Sequence, residues 1–128
     1  MKRLDDAAAK RAADEAAARA ARAAERFKTQ VAAPGGEAAI RQDIADLLAG
    51  TPHYDQMSPG LADATREQLA GITPMLTGLG AVKSIKFKGV ERNGADIYDV
   101  EFEHGATEWR IIMSPDGKID SLNFHPVQ

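Results

Sequence analysis

Residues 82–124 have the sequence VKSIKFKGVERNGADIYDVEFEHGATEWRIIMSPDGKIDSLNF, in which apolar and polar residues alternate along four short stretches. Turn-forming residues separate the stretches, namely Asn93-Gly94, His104-Gly105 and Pro115-Asp116-Gly117. A period of two is typical of β-strands that bury one face, and Asn-Gly suits the left-handed backbone of a hairpin turn. This region therefore predicts a four-stranded antiparallel meander.

The alternation assigns each strand side chain to one of the two faces of the predicted sheet. None of the residues assigned to the inward, apolar face is ionised at neutral pH, so we expect the sheet itself to supply no acid or base. Polar groups for orienting a ligand are limited there to the Tyr98 and Thr107 hydroxyls and the Trp109 indole N–H. The inward residues are Ile85, Phe87, Tyr98, Val100, Phe102, Thr107, Trp109, Ile111, Met113, Leu122 and Phe124.

An amphipathic helix is predicted before the sheet, closed by Gly50 as a C-terminal cap. Asp43 and Asp46 fall outside its apolar stripe, so we expect both carboxylates to face water. The stripe consists of Ile40, Ile44, Leu47 and Leu48.

A second helix is predicted to begin at Ser58-Pro59, because serine is a good N-cap and proline is tolerated at the first helical position. Gly71 and Thr73-Pro74 predict that this helix is kinked or divided in two. Helices that precede strands, rather than alternate with them, indicate an α+β fold. We expect N-terminal helices packed on one face of a curved four-stranded sheet.

The N-terminal arm, residues 1–33, differs from the rest of the chain because alanine and charged residues dominate it. Alanine has the highest helix propensity, so the arm should be helical, with Phe27 and Val31 among its few large anchors. A Pro-Gly-Gly break at 34–36 separates it from a domain at 37–128. The arm either lies against its own domain through small alanines or reaches a partner.

The composition excludes several classes of protein. The 128 residues carry a formal net charge of -3, which gives no indication of the basic surface that nucleic-acid binding requires. Cysteine is absent, so disulfides and thiolate sites are excluded while the compartment stays open. No apolar run approaches the roughly 20 residues of a membrane span, and acids interrupt the N-terminal alanines, unlike a signal peptide. We expect a soluble chain, cytoplasmic as given or periplasmic if a leader has been removed.

Neither a metal nor a nucleotide cofactor is predicted. The three histidines, His53, His104 and His125, lack the spacing of known metal-ligand motifs. The glycines of Gly78-Leu79-Gly80 follow a predicted helix and precede a strand, which is the reverse of the order in a phosphate-binding loop.

Several short motifs lie between the predicted helices and along the predicted strands, namely Tyr54-Asp55-Gln56-Met57-Ser58-Pro59, Leu79-Gly80, Phe87-Lys88-Gly89-Val90, Asp96-Ile97-Tyr98, Phe102, Glu108-Trp109-Arg110-Ile111, Pro115-Asp116-Gly117-Lys118-Ile119 and Phe124-x-Pro126. Together they resemble a bacterial family, the NTF2-like (SnoaL- and ketosteroid-isomerase-like) domain that is fused behind serine hydrolases of the β-lactamase and penicillin-binding-protein type. The resemblance covers residues 38–126 and implies a cone-shaped, cystatin-like fold with an accessory role, no established catalytic residues and no particular substrate. The Ser-x-x-Lys nucleophile motif is absent, so hydrolase activity is not implied.

The leading hypothesis is a non-catalytic accessory module that binds a small apolar ligand. An alternative is an isomerase, cyclase or dehydratase, in which the loop 51–57 supplies Asp55 or His53 as base and Tyr98 acts as donor. The ligand-binding residues under the leading hypothesis are Tyr54, Tyr98, Trp109, Met113 and Phe124.

A further alternative is an interaction module. The outward sheet face, with Ile97 and Ile112 among its charges, or the N-terminal helix would form a homodimer or dock to a hydrolase domain. On the same face Glu108 and Arg110 flank Trp109, and we expect them to form a charge pair.

Overall fold

The computed structural model describes residues 2–127, and side chains from residue 7 onward. Three helices precede four strands, and the sheet order β1-β2-β3-β4 is antiparallel throughout and not closed into a barrel. The α+β prediction is confirmed, with helices packed against one face of a curved sheet. The elements are α1 (Lys2–Thr29), α2 (Gly36–Ala49), a 3-10 turn (Tyr54–Gln56), α3 (Pro59–Leu79), β1 (Val82–Val90), β2 (Asp96–Phe102), β3 (Gly105–Met113) and β4 (Ile119–Val127).

The hydrophobic core lies between α2, α3 and the inner face of the sheet. The buried stripe of α2 is narrower than the predicted apolar stripe, since one predicted member, Leu48, is 37% exposed. Burying a large apolar side chain contributes about 1.5–3 kcal/mol, so these contacts hold both helices on the sheet. The fully buried core side chains include Ile40, Ile44, Leu76, Val100, Phe102, Trp109 and Ile111.

The prediction that Asp43 and Asp46 face water is wrong, since they are only 6% and 8% exposed. Helix α2 ends as predicted at Gly50, which has a left-handed φ of 74°. The chain then returns along α2 as the loop 51–57 before α3 begins. This loop and α3 lie beside Asp43 and line clefts with it. They therefore cover the side of α2 that would face water in an isolated helix.

Helix α3 begins as predicted, with the Ser58 hydroxyl accepting a hydrogen bond from the Leu61 N–H at 3.3 Å. It continues without division through Pro74 to Leu79, so the predicted split does not occur. The Thr73 hydroxyl beside the proline donates to the Leu47 carbonyl at 2.7 Å, which ties this part of α3 to α2. Tertiary contact thus supports the helix where proline removes a backbone donor.

The sheet register carries one aromatic row across all four strands, in which the successive pairs are Phe87–Tyr98, Tyr98–Trp109 and Trp109–Phe124. One residue of the inner face was missed. Strand β2 begins at Asp96, which is 0% exposed and lies opposite Ile111. The expectation that the inner face supplies no acid or base is therefore wrong, because the strand starts two residues earlier than its apolar alternation indicates.

The outer face of the sheet carries a network of charges. Glu108 contacts Lys88 at 3.0 Å and Arg110 at 2.7 Å, which confirms the predicted Glu108–Arg110 pair. Arg110 also contacts Glu91 at 2.6 Å. Ile97 is partly buried on this face, so its apolar surface is interrupted by ions rather than continuous.

The described contacts of the arm with the domain come from the C-terminal part of α1 and from the residues that follow it. The Gln30 side chain pairs with Val90 in both directions, accepting from its N–H and donating to its carbonyl at 2.9 Å. The expected anchors Phe27 and Val31 are instead 41% and 64% exposed. Side chains of residues 7–22 are exposed, so most of the arm covers no core. Among the described residues no helix has the length and apolar character needed to cross a bilayer.

Candidate functional site

A cleft of about 460 Å³ opens between α2, the loop 51–57 and the adjoining ends of β3 and β4. We call it the α2–loop cleft. Its apolar lining includes Met57, Met113 and Ile119. Its polar lining comes mainly from one turn of α2 and from the loop, namely Gln42, Asp43, Asp46, His53 and Gln56.

A second cleft of about 590 Å³ lies between α2, α3 and residues of β3 and β4. We call it the α3–β4 cleft. Trp109 and Phe124 line it, with their rings stacked at a centroid distance of 4.2 Å. Asp43 lines both clefts, so this carboxyl group stands between them.

Asp43 is buried without a described hydrogen-bond partner. Burial, followed by the neighbouring Asp46 carboxylate, raises the pKa of Asp43 from 3.8 to about 7. No fully buried polar side-chain atom among the described residues lacks a partner, so the Asp43 oxygens are not sealed in the core. They open onto the clefts that the residue lines. A carboxyl group with this pKa exchanges its proton near neutral pH.

Asp46, one turn further along α2, holds the loop. Its Oδ2 atom lies 2.5 Å from His53 Nδ1, and its Oδ1 accepts from Gln42 Nε2 at 2.8 Å. The hydrogen bond to Asp46, and then the charge of Asp46, raise the pKa of His53. The His53 side chain is 58% exposed, so it forms the solvent-facing rim of the cleft.

Comparisons with protein-family models, curated proteins and solved structures find no match for this chain. The function has to be inferred from the site itself.

The rest of the loop is fixed by contacts on both sides. Met57 forms a bridge to Ile119, and the Ser58 N–H donates to the Ile119 carbonyl at 2.8 Å. The Arg66 guanidinium lies 4.3 Å from the centre of the Tyr54 ring, which places Tyr54 against α3. Asp55 is exposed and contacts the Gln56 amide at 3.4 Å.

The proposed catalytic residues of the loop do not meet Tyr98. The Tyr98 hydroxyl packs against Gly36 at the start of α2, whereas His53 is bound to Asp46. Gly36 and Asp46 are separated by ten residues of α2, or about 15 Å along the helix axis. Burial, Asp96 and Glu37 raise the pKa of Tyr98.

The residues expected to bind a ligand do not meet in one site either. Trp109 is 0% exposed and its indole N–H donates to the Thr107 hydroxyl at 2.6 Å, so its polar tip is satisfied inside the core. Trp109 and Phe124 contribute to the α3–β4 cleft, while Met113 lines the α2–loop cleft. The apolar face therefore divides between core and two clefts instead of enclosing one cone-shaped cavity.

Sequence reasoning missed Gln42, Asp43 and Asp46. The signal was present, because Asp43 and Asp46 lie three residues apart and share one side of α2 with the buried stripe. In the described residues no cluster of three or more histidines and acids could hold a metal ion. This arrangement can accept a proton or a hydrogen bond at Asp43 and can enclose an apolar group beside it.

A third cleft, of about 500 Å³, has the opposite electrostatic character. It lies between α1 and the turn from β3 to β4, and Arg19, Arg22 and Arg26 line it. Of these arginines, Arg26 is paired with Asp96. Among its described lining residues the arginines outnumber the one acid, Asp120, whereas the α2–loop cleft is lined by two acids and no arginine or lysine.

Proposed function

We propose that this chain is a small-molecule-binding domain and that the ligand occupies the α2–loop cleft. The observation that carries the proposal is the lining, in which apolar side chains adjoin a few polar groups gathered at Asp43. The volume of about 460 Å³ lies in the range of ligand sites. Apolar walls supply affinity, and the polar end fixes orientation.

The role that fits such a domain best is that of a non-catalytic accessory module. The resemblance of residues 38–126 to NTF2-like domains supports this role, since those domains accompany enzymes without established catalytic residues of their own. The α+β architecture, with helices over one face of an open sheet, is consistent with it. Under this proposal the Trp109–Phe124 stack is chiefly core, and Met57, Met113 and Ile119 contact the ligand.

Asp43 favours one second candidate, an enzyme of the isomerase, cyclase or dehydratase class. A general base works best when its pKa is near the operating pH, and the pKa of Asp43 is about 7. In this version the base comes from α2, and the His53–Asp46 pair is the second proton-transfer group. The loop 51–57 positions the site and does not supply the base.

Binding can be tested by NMR with a set of small apolar fragments. Binding should perturb the resonances of Met57, Met113 and Ile119. Replacement of Ala39, which lines the cleft, by phenylalanine should abolish the perturbation. Ala38→Phe, on an exposed neighbouring position, is the matched control and should keep it.

The outcomes separate the two candidates. A fragment set that perturbs none of the cleft residues contradicts the binding proposal. A bound compound that is converted to product by the wild type but not by Asp43→Asn, with unchanged affinity, favours the enzyme. Binding without turnover favours the accessory module.

An interaction role for the arm is compatible with either candidate. Side chains of residues 7–22 are exposed, and they extend an alanine-rich surface away from the domain. We propose that this surface contacts a second copy or a hydrolase domain. Deleting residues 1–18 keeps the docking residues Arg26 and Gln30. If the mass in solution then shows an unchanged oligomeric state, the deleted part is excluded as an essential dimer contact.

A further inference from the structure

We propose that the ligand of the α2–loop cleft is an apolar molecule bearing a cationic amine, and that the Asp43 carboxylate is its counter-ion. This inference rests on the proposed binding function of that cleft and adds the chemical class of the ligand. It rests on two observations: Asp43 is buried without a described hydrogen-bond partner, and the residues that line the cleft are more acidic than basic.

Asp43 is a buried acceptor without a hydrogen-bond partner among the described residues. The residue is 6% exposed, and no hydrogen bond contributes to its ionisation equilibrium. Buried carboxylates are normally paired or hydrogen-bonded, because desolvation of an unpaired charge is costly. Asp43 lines the cleft and its oxygens are not sealed in the core, so a ligand there can supply the missing donor.

The charge of the lining favours a cation over an anion. Two carboxyl groups, those of Asp43 and Asp46, line the α2–loop cleft, and neither lysine nor arginine is among its described lining residues. The single basic group is His53, which is already bound to Asp46. An anionic ligand would therefore meet an unbalanced carboxyl group, while an ammonium group would neutralise it.

The apolar residues of the lining indicate what the rest of the ligand molecule should be. Met57 and Met113 lie in the walls, and thioether side chains adapt to apolar groups of varied shape. Within the described residues no metal-binding cluster exists, so a bare divalent cation is a poor match. An amine attached to an aliphatic or aromatic ring satisfies both the walls and Asp43.

Amine binding should release a proton. Three ionisable groups surround Asp43: Asp46 on the same helix, His53 on the loop, and Glu67 of α3 across the second cleft. Because the pKa of Asp43 is about 7, the group is largely protonated below neutrality and must lose its proton to pair with an ammonium. The amine affinity should fall about tenfold per pH unit below pH 7.

The experiment compares three probes of matched shape: cyclohexylmethylamine, cyclohexylmethanol and cyclohexanecarboxylate. Calorimetry and NMR measure their affinities for the full chain at about pH 8, where Asp43 is mostly ionised. We expect the amine to bind roughly tenfold or more tightly than the alcohol, and the carboxylate to bind weakest. Titrations at about pH 6 in two buffers of different ionisation enthalpy should show close to one proton released per amine.

Asp43→Asn and Asp63→Asn assign the effect, since Asp63 is an exposed acid of α3 outside the cleft lining. Asp43→Asn should remove both the amine preference and the proton release, while Asp63→Asn should keep both. If Asp43→Asn keeps the amine preference or the proton release, the inference is overturned. The proton release is also measured on the wild type, so this part of the test does not depend on how a variant folds. Equal binding of amine and alcohol would overturn the amine assignment and leave the binding function standing. Absence of any perturbation at Met57, Met113 and Ile119 by all three probes would overturn both.

Discussion

The guanidinium of Arg26 on α1 is paired with the carboxylate of Asp96 on β2, whose side chain is only 1% exposed. The second oxygen of the same carboxylate accepts from the Ala33 N–H at 2.9 Å, and Arg26 also donates to the Gly94 carbonyl. The N-terminal arm is therefore attached by a polar group that the sheet buries. A buried carboxylate is costly without its cation, so sheet and arm depend on each other.

Arg26→Met should destabilise the fold by about 3 kcal/mol, because it leaves Asp96 buried without a cation. Arg22→Met on the exposed side of the same helix should change the free energy of unfolding by less than about 0.5 kcal/mol. Both are measured by chemical denaturation. The double variant Arg26→Met/Asp96→Asn should recover about half of the lost free energy of unfolding, since it removes the buried charge that Arg26→Met leaves unpaired. A loss in Arg26→Met no larger than in Arg22→Met would contradict this account.

Gly94→Ala tests the docking of α1 on the turn between β1 and β2. Gly94 has a φ of 86°, and an added Cβ would lie 2.9 Å from the Ala23 Cα on α1. Gly117 has nearly the same φ, 85°, with open space around it. Both alanine variants should lose about 1 kcal/mol from backbone strain, and Gly94→Ala should lose at least about 1 kcal/mol more from the clash. Equal melting temperatures for the two variants would show that α1 does not press on this turn.

Asp43→Asn should stabilise the protein in a pH-dependent way. The folded-state pKa of about 7 lies above the ordinary 3.8, so the folded state holds the proton more tightly than the unfolded chain. Ionisation of Asp43 therefore lowers the free energy of unfolding as pH rises from about 4 to about 7. The variant should gain on the order of 4 kcal/mol near pH 8 and almost nothing near pH 4. Asp63→Asn, on an exposed position of α3, is the control and should show a much smaller pH-dependent difference.

The His53–Asp46 pair should give the loop 51–57 a pH dependence of the same sign, at higher pH. The pKa of His53 is raised by Asp46, so its contribution to stability is full below the unfolded pKa of 6.5 and is lost as pH rises through the folded value. An NMR titration of the imidazole should move to lower pH in Asp46→Asn. Asp55→Asn should cause a smaller shift in the same direction, because the Asp55 charge is the weakest of the causes. An unshifted titration in Asp46→Asn would contradict the pairing.

The sequence alone determined the order of helices and strands, the turns of the meander and the inward row that contains Tyr98 and Trp109. These features follow from local properties: side-chain alternation, the Ser58 cap and glycines in left-handed turns. Each is determined by residues close together in the chain.

Only the tertiary structure decided which polar residues are buried. Asp43 is an acid at the edge of the apolar stripe of its helix, a position that is compatible with burial or exposure, and Asp96 precedes the alternation that marks its strand. Their burial depends on α3, the loop 51–57 and the end of α1, which lie elsewhere in the sequence. The candidate site therefore arose from packing between distant segments, because the environment of a carboxyl group is set by what covers it and not by the period of its own helix or strand.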